Sequence, residues 1–166
     1  MQRGTLAEDL SKGLQLHQAG RLAEAKQLYL GILLRDPNYA DALHLLGVIV
    51  AGEGDLSRAI DLISQATRAR PEIANYHTNL ANVLKQVERF PEAIASYERA
   101  LALAPGDFVA LANLGAVLAS IGLRDEAIEK YSLALNVIDA SPQKLAPEHR
   151  EALQQELDSM LASRLH

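Results

Sequence analysis

The chain has no cysteine and no tryptophan, and only 4% of its residues are aromatic. The first absence excludes disulfides and thiolate metal sites. The second argues against an aromatic-rich sandwich. With 49% hydrophobic residues, the core must be built from Leu, Ala, Ile and Val, which suits closely packed helices. Basic residues are in deficit, giving a net charge of −5, and no Lys/Arg cluster dominates. Nucleic acid and anionic membrane are therefore not expected as partners, because phosphate binding leans on clustered positive charge. No run of eighteen apolar residues occurs, and the N-terminal MQRGTLAEDL has no apolar stretch of signal-peptide length. The expectation is a soluble cytoplasmic protein whose 166 residues suffice for a well-buried domain.

What is present is a repeat. Ala25, Ala59, Ala93 and Ala127 follow one another at 34 residues, but alanine is abundant and rarer residues must decide. Pro37, Pro71 and Pro105 keep the same period, as do Gly13, Gly47 and Gly115, with Ala81 in the missing slot. Gly20, Gly54 and Gly122 form a further series broken by Glu88, and Tyr29, Tyr97 and Tyr131 another with Ile63 in the gap. Independent series in one register define a true repeat.

Within each repeat the apolar positions recur at three and four, the spacing of amphipathic helices. In the third repeat the pattern predicts a first helix from about Ala74 to Val87 and a second from about Pro91 to Leu103. Pro91 suits a first helical turn, Pro105 stops the second helix, and the Gly20, Gly54 and Gly122 series falls where a left-handed cap ends each first helix. Thr5 with Glu8 forms a capping-box pattern. The small residues Gly13, Gly47, Ala81 and Gly115 are expected to let a first helix approach the alanines of its partner, the tyrosines filling the wider gap beyond.

With Leu46-Gly47, Leu114-Gly115, the alanine column, the tyrosines and the terminal prolines in fixed order, the chain resembles the tetratricopeptide repeat. The resemblance covers about Leu6 to Asp139. It departs in lacking the usual early Trp, in Lys12 before Gly13, in Ile32 where other repeats have Ala, and in Asp139 in place of proline. It implies an all-α fold, a right-handed superhelical α-solenoid of four helix-turn-helix repeats. The expected boundaries are an extension at 1–5, repeats at 6–39, 40–73, 74–107 and 108–141, and a capping helix at 142–166. In that last segment Leu153, Leu157, Leu161 and Leu165 are spaced by four behind Pro147, as a polar-faced cap for a repeat stack requires. The alternative is an amphipathic helix offered to a partner.

The resemblance further implies that first helices line a concave groove. The face of the third first helix left over from packing is Asn75, Thr78, Asn79, Asn82, Lys85 and Gln86. Asn forms helices poorly, and side-chain amides can pair with the N–H and C=O of an extended peptide at once; the alternative is a merely solvated face. In O-linked N-acetylglucosamine transferases an asparagine two residues before the small position forms a ladder that holds bound substrates. Asn79 and Asn113 occupy that position here, whereas the first two repeats have Ser11 and Leu45. There the leftover face is Leu10, Leu14, Leu45 and Val48 beside His17, Asp41 and His44, an apolar pocket for a partner or packing between first helices. Val109, Ala112, Ala116 and Ala119 form a wall of small residues in the fourth repeat. A carboxylate clamp of the chaperone-adaptor kind is disfavoured, since Leu10 stands where its first lysine belongs.

Catalytic signatures are absent: no Gly-x-Ser-x-Gly turn, no His-Glu-x-x-His, and a Gly-Glu-Gly-Asp at 52–55 without the strand of a phosphate loop. His17, Asp41 and His44 are too few for a confident metal site. Arg58, Arg68 and Arg70 read as a solvated face, and Asp125 and Glu126 complement a helix dipole. The expectation is a non-catalytic module without cofactor or metal, an adaptor that binds an extended segment of a partner protein. Its groove residues are Asn75, Thr78, Asn79, Asn82, Lys85, Gln86, Asn113, Asp41, His44, Leu10, Leu14, Leu45 and Val48. Alternatives are the substrate-recognition segment of a glycosyltransferase-type bacterial enzyme, or a scaffold that assembles with further copies of itself as a homo-oligomer.

Overall fold

A computed structural model describes residues 5–140 and 147–162. Among these residues there are helices and no strand: α1 (Leu6–Gln18), α2 (Leu22–Leu33), α3 (Ala40–Gly52), α4 (Leu56–Ala69), α5 (Ala74–Gln86), α6 (Phe90–Leu103), α7 (Phe108–Ser120), α8 (Arg124–Ala140) and α9 (Pro147–Ala162). The fold is an all-α repeat solenoid with a capping helix. The chain divides into two compact halves, residues 1–83 and 84–166. In the N-terminal half α1 packs on α2, α2 on α3 and α3 on α4; in the C-terminal half α6 packs on α7, α7 on α8 and α8 on α9.

Helix starts and stops follow the local chemistry. The Thr5 hydroxyl accepts from the Glu8 N–H at 3.2 Å while the Glu8 carboxylate accepts from the Thr5 N–H at 2.7 Å, completing the expected capping box. Asp107 caps α7 by accepting from the N–H groups of Val109 and Ala110 at 3.1 and 3.0 Å. Gly20, Gly54 and Gly122 all take left-handed backbone, at φ of 74°, 89° and 85°. Glu88, which breaks that series, is forced into the same conformation at φ 58°, where a Cβ is disfavoured. The helices α4 and α6 end just before Pro71 and Pro105. With Asp139 in place of proline, α8 continues to Ala140 as a helix of 17 residues.

The repeat columns form the core. Ala25, Ala59, Ala93 and Ala127 are all 0% exposed, as are Ile32, Ala66, Ala100 and Ala134. The glycine column, however, does not act as expected. A Cβ on Gly13 would lie 2.5 Å from the Tyr29 ring, and one on Gly47 2.6 Å from Ile63 Cγ1. Gly115 faces the Tyr131 ring, 3.3 Å from where its Cβ would stand. The tyrosines thus sit directly on the glycines rather than in a gap beyond them: the missing side chain of the first helix is the seat for the large side chain of the second.

The apolar stripe of α9 also differs from expectation. Leu157 is 8% exposed and Leu153 half-buried, but Leu161 is 41% exposed; Leu165 lies outside the described residues. A spacing of four overshoots the helical turn of 3.6 residues, so the stripe winds off the face that packs on α8. Arg150 ties α9 to α8 by donating to both Asp139 carboxylate oxygens, at 2.6 and 3.2 Å.

Gly13→Ala and Gly47→Ala should each lose about 1–3 kcal/mol by overpacking, and Gly115→Ala less, as read from urea denaturation midpoints. Glu88→Gly should raise the midpoint, by about 0.5–1 kcal/mol of stability, by relieving left-handed backbone at a residue with a Cβ.

Candidate functional site

In the N-terminal half the expected groove residues come from three first helices: Leu10 and Leu14 on α1, Asp41, His44, Leu45 and Val48 on α3, and Asn75, Thr78, Asn79 and Asn82 on α5. Leu10, Leu14, Leu45 and Val48 are half-buried, as are Asp41, Asn79 and Asn82, while Asn75 is exposed. Two residues expected on this lining are instead buried. Thr78 and His44 are each 5% exposed. The Thr78 hydroxyl donates back to the Ala74 carbonyl at 3.4 Å, so a polar side chain enters the interior already satisfied.

His44 is buried because its neighbours satisfy it. Its ring stacks on Tyr76 with centroids 4.4 Å apart and planes 26° from parallel. Its Nε2 accepts from the Asn79 side-chain amide at 2.8 Å, and the same Asn79 nitrogen reaches Asn75 Oδ1 at 3.5 Å. The Tyr76 hydroxyl donates to Asp41, whose other oxygen lies 3.6 Å from an Arg70 nitrogen. Asp41 is thereby committed to Tyr76 and Arg70, and among the described residues no group of three or more His, Asp or Glu gathers as a metal site. Burial, followed by the opposing pull of Asp41 and the push of His17, brings His44 down to about 4. Burial, then the bond to Asp41, pushes the Tyr76 hydroxyl well above its usual value. His17 adds a buried Nδ1 without a partner, as does the Tyr29 hydroxyl, their rings 6.4 Å apart.

In the C-terminal half Lys85 donates to Asn113 Oδ1 at 2.7 Å, from the end of α5 to the middle of α7. The ammonium is half-buried, no carboxylate pairs with it among the described residues, and burial lowers its pKa. Gln86 is exposed. Asn113 and Ala112 also border an open cleft of about 370 Å³, lined on its other sides by Tyr131 of α8 and by Ala152, Leu153, Gln155, Glu156 and Ser159 of α9. Burial and then Glu156 push the Tyr131 hydroxyl up. The small side chains at Ala112 and Ala152 leave this space open, with amide and carboxylate groups at its edge.

Tyr76, Arg70 and the α9 residues were not among the expected lining. A signal for Tyr76 existed: Asp41–Tyr76 and His44–Asn79 are both 35 apart, one repeat plus one, which sets adjacent first helices side by side.

Comparison with known proteins finds tetratricopeptide repeat models matching residues 16–83 and 72–140. The TPR repeat-containing protein YpiA of Bacillus subtilis (strain 168) is 28% identical over 144 residues, which make up 83% of this chain and 34% of YpiA. The chain spans about a third or less of the curated relatives it matches. Among solved structures, a mutant of the Thermobaculum terrenum O-GlcNAc transferase is 27% identical with a TM-score of 0.73, over 81% of this chain and 26% of that one. YrrB, described as a TPR protein with an unusual peptide-binding site, has a TM-score of 0.76 at 22% identity, over 94% of this chain and 76% of its own. No helix among the described residues is long and apolar enough to cross a membrane.

The environment of His44 dictates a pH dependence. Its folded pKa of about 4 lies below the ordinary 6.5, so between these values the unfolded chain binds more protons and stability rises with pH. The contribution is complete above about 6.5 and is lost as pH falls toward 4, by about 3 kcal/mol in all. His44→Gln should flatten this part of the stability-versus-pH curve, measured by denaturant unfolding across that range.

Proposed function

The chain belongs to the tetratricopeptide-repeat family, and on that premise we propose that it is a non-catalytic protein-interaction module that holds an extended segment of a partner protein against the inner faces of its first helices. The observation that carries this reading is the prearrangement of half-buried polar groups there. Asn79 is held by His44 and Asn75, and Lys85 is held on Asn113. Polar groups ordered before binding lose little freedom when a ligand arrives.

The N-terminal half offers Asn75, Asn79 and Asn82 beside the half-buried Leu10, Leu14, Leu45 and Val48, a wall for alternating polar and apolar contacts with an extended chain. The C-terminal half offers Lys85, Gln86 and Asn113 with the cleft against α9, which admits a side chain. The peptide-binding site named for YrrB, a protein of the same fold, supports this use. A second reading is that the chain recognises substrate for a larger transferase. It is supported by the 27% identity to part of the O-GlcNAc transferase chain, and it predicts that the captured partners are themselves glycosylation substrates.

Capture of partners from a lysate should separate the native chain from an Asn75→Ala, Asn79→Ala, Lys85→Ala variant of equal helicity by circular dichroism. The variant should retain at least about tenfold less of the specific partners, since each lost charge-assisted or amide contact weakens binding by about 1–3 kcal/mol. Equal capture by both forms would move the interaction to another face.

A further inference from the structure

We propose that His44 is a positioning residue that makes Asn79 an acceptor-only contact, so that a bound partner segment must present an N–H or O–H donor at that point of the α5 face. The inference rests on the binding reading above and deepens it.

An asparagine amide has one carbonyl oxygen and a nitrogen with two hydrogens. The Asn79 nitrogen meets two acceptors, His44 Nε2 at 2.8 Å and Asn75 Oδ1 at 3.5 Å. One hydrogen goes to each, and the carbonyl oxygen is the part of the amide left to a ligand. This replaces the expectation of an amide that pairs with both the N–H and the C=O of a peptide backbone. Asn79 can accept from a partner, and its own donors are engaged within the fold.

The arrangement requires His44 to be neutral with its proton on Nδ1, because a protonated imidazole has no lone pair at Nε2. The surroundings enforce neutrality. His44 is 5% exposed and stacked on Tyr76, and the nearby His17 of α1 adds to burial in disfavouring the charged ring. Asp41 on α3 would favour the charged ring, but it is engaged by the Tyr76 hydroxyl of α5 and by Arg70, the residue that follows α4 as its C-cap. Protonating His44 would turn Nε2 from acceptor to donor. The Asn79 amide would then have to rotate, presenting its nitrogen outward in place of its oxygen and reversing the polarity of the contact.

The test needs no ligand. In the uniformly ¹⁵N-labelled full chain, a long-range ¹⁵N–¹H correlation spectrum reads the His44 tautomer, and the Asn79 side-chain amide is assigned by its loss in Asn79→Ala. The expected result is the Nδ1–H tautomer at pH 7. The Asn79 amide signals should then titrate with the His44 ring, at a midpoint well below that of an exposed histidine. Exchange of the Asn79 amide hydrogens with solvent should quicken at least tenfold in His44→Leu and return toward native in His44→Gln, whose side-chain oxygen can stand near Nε2. An Nε2–H tautomer at pH 7, or an Asn79 amide indifferent to the ionisation of His44, would overturn the proposal. Neither result would bear on whether the face binds a partner, which the capture comparison decides separately.

Discussion

The structure depends on a missing side chain. Where Gly13, Gly47 and Gly115 present bare backbone, Tyr29, Ile63 and Tyr131 from the following helix come to rest. That contact holds the two helices of a repeat at a close separation and at a fixed rotation about their axes. The rotation buries the alanine columns completely and determines which face of each first helix is left for other work. A stack of helical hairpins has no central core to correct a misplaced element, so the geometry within each hairpin must be set locally. In the first, second and fourth repeats a glycine and a large residue sixteen positions later set it, and in the third Ala81 stands in the glycine's slot.

The helices were legible in the sequence because their signals are local. Prolines, left-handed glycines and the capping box act within a few residues of where they stand, and the period of 34 residues reports the same punctuation several times over. The extended α8 was foreshadowed by Asp139 in the proline slot, although that residue's ion pair with Arg150 of α9 was not. The face of α9 is less legible, because leucines every four residues resemble a straight stripe until they are laid on a helix that turns every 3.6.

The lining of the site was less legible, and for a different reason. Polarity signals exposure only for a side chain whose partners are water. Thr78 is satisfied instead by a carbonyl on its own helix, and His44 by an amide on a neighbouring one. Neither partnership changes the hydrophobic pattern of the helix that carries it. Buried polar groups become visible in a sequence when residues of complementary chemistry recur at the distance that brings helices together, and the spacing of 35 residues shared by Asp41–Tyr76 and His44–Asn79 is such a mark.

That spacing has a consequence for how nearly identical modules find their proper order. A duplicated repeat inherits every contact made within itself, so its copies would stack on one another interchangeably. The lateral pairs break that symmetry. The positions matching Asp41 and His44 are Ala7 and Leu10 in the first repeat and Asn75 and Thr78 in the third, and those matching Tyr76 and Asn79 in the second repeat are Ala42 and Leu45. The matched bonds therefore form when the second repeat meets the third. Set on another copy of itself the second repeat would face Asp41 with Ala42 and His44 with Leu45, and set on the fourth it would face Asp41 with Ala110, so the full pair of bonds belongs to the second and third repeats. The network gives this junction an address that hydrophobic packing alone does not supply.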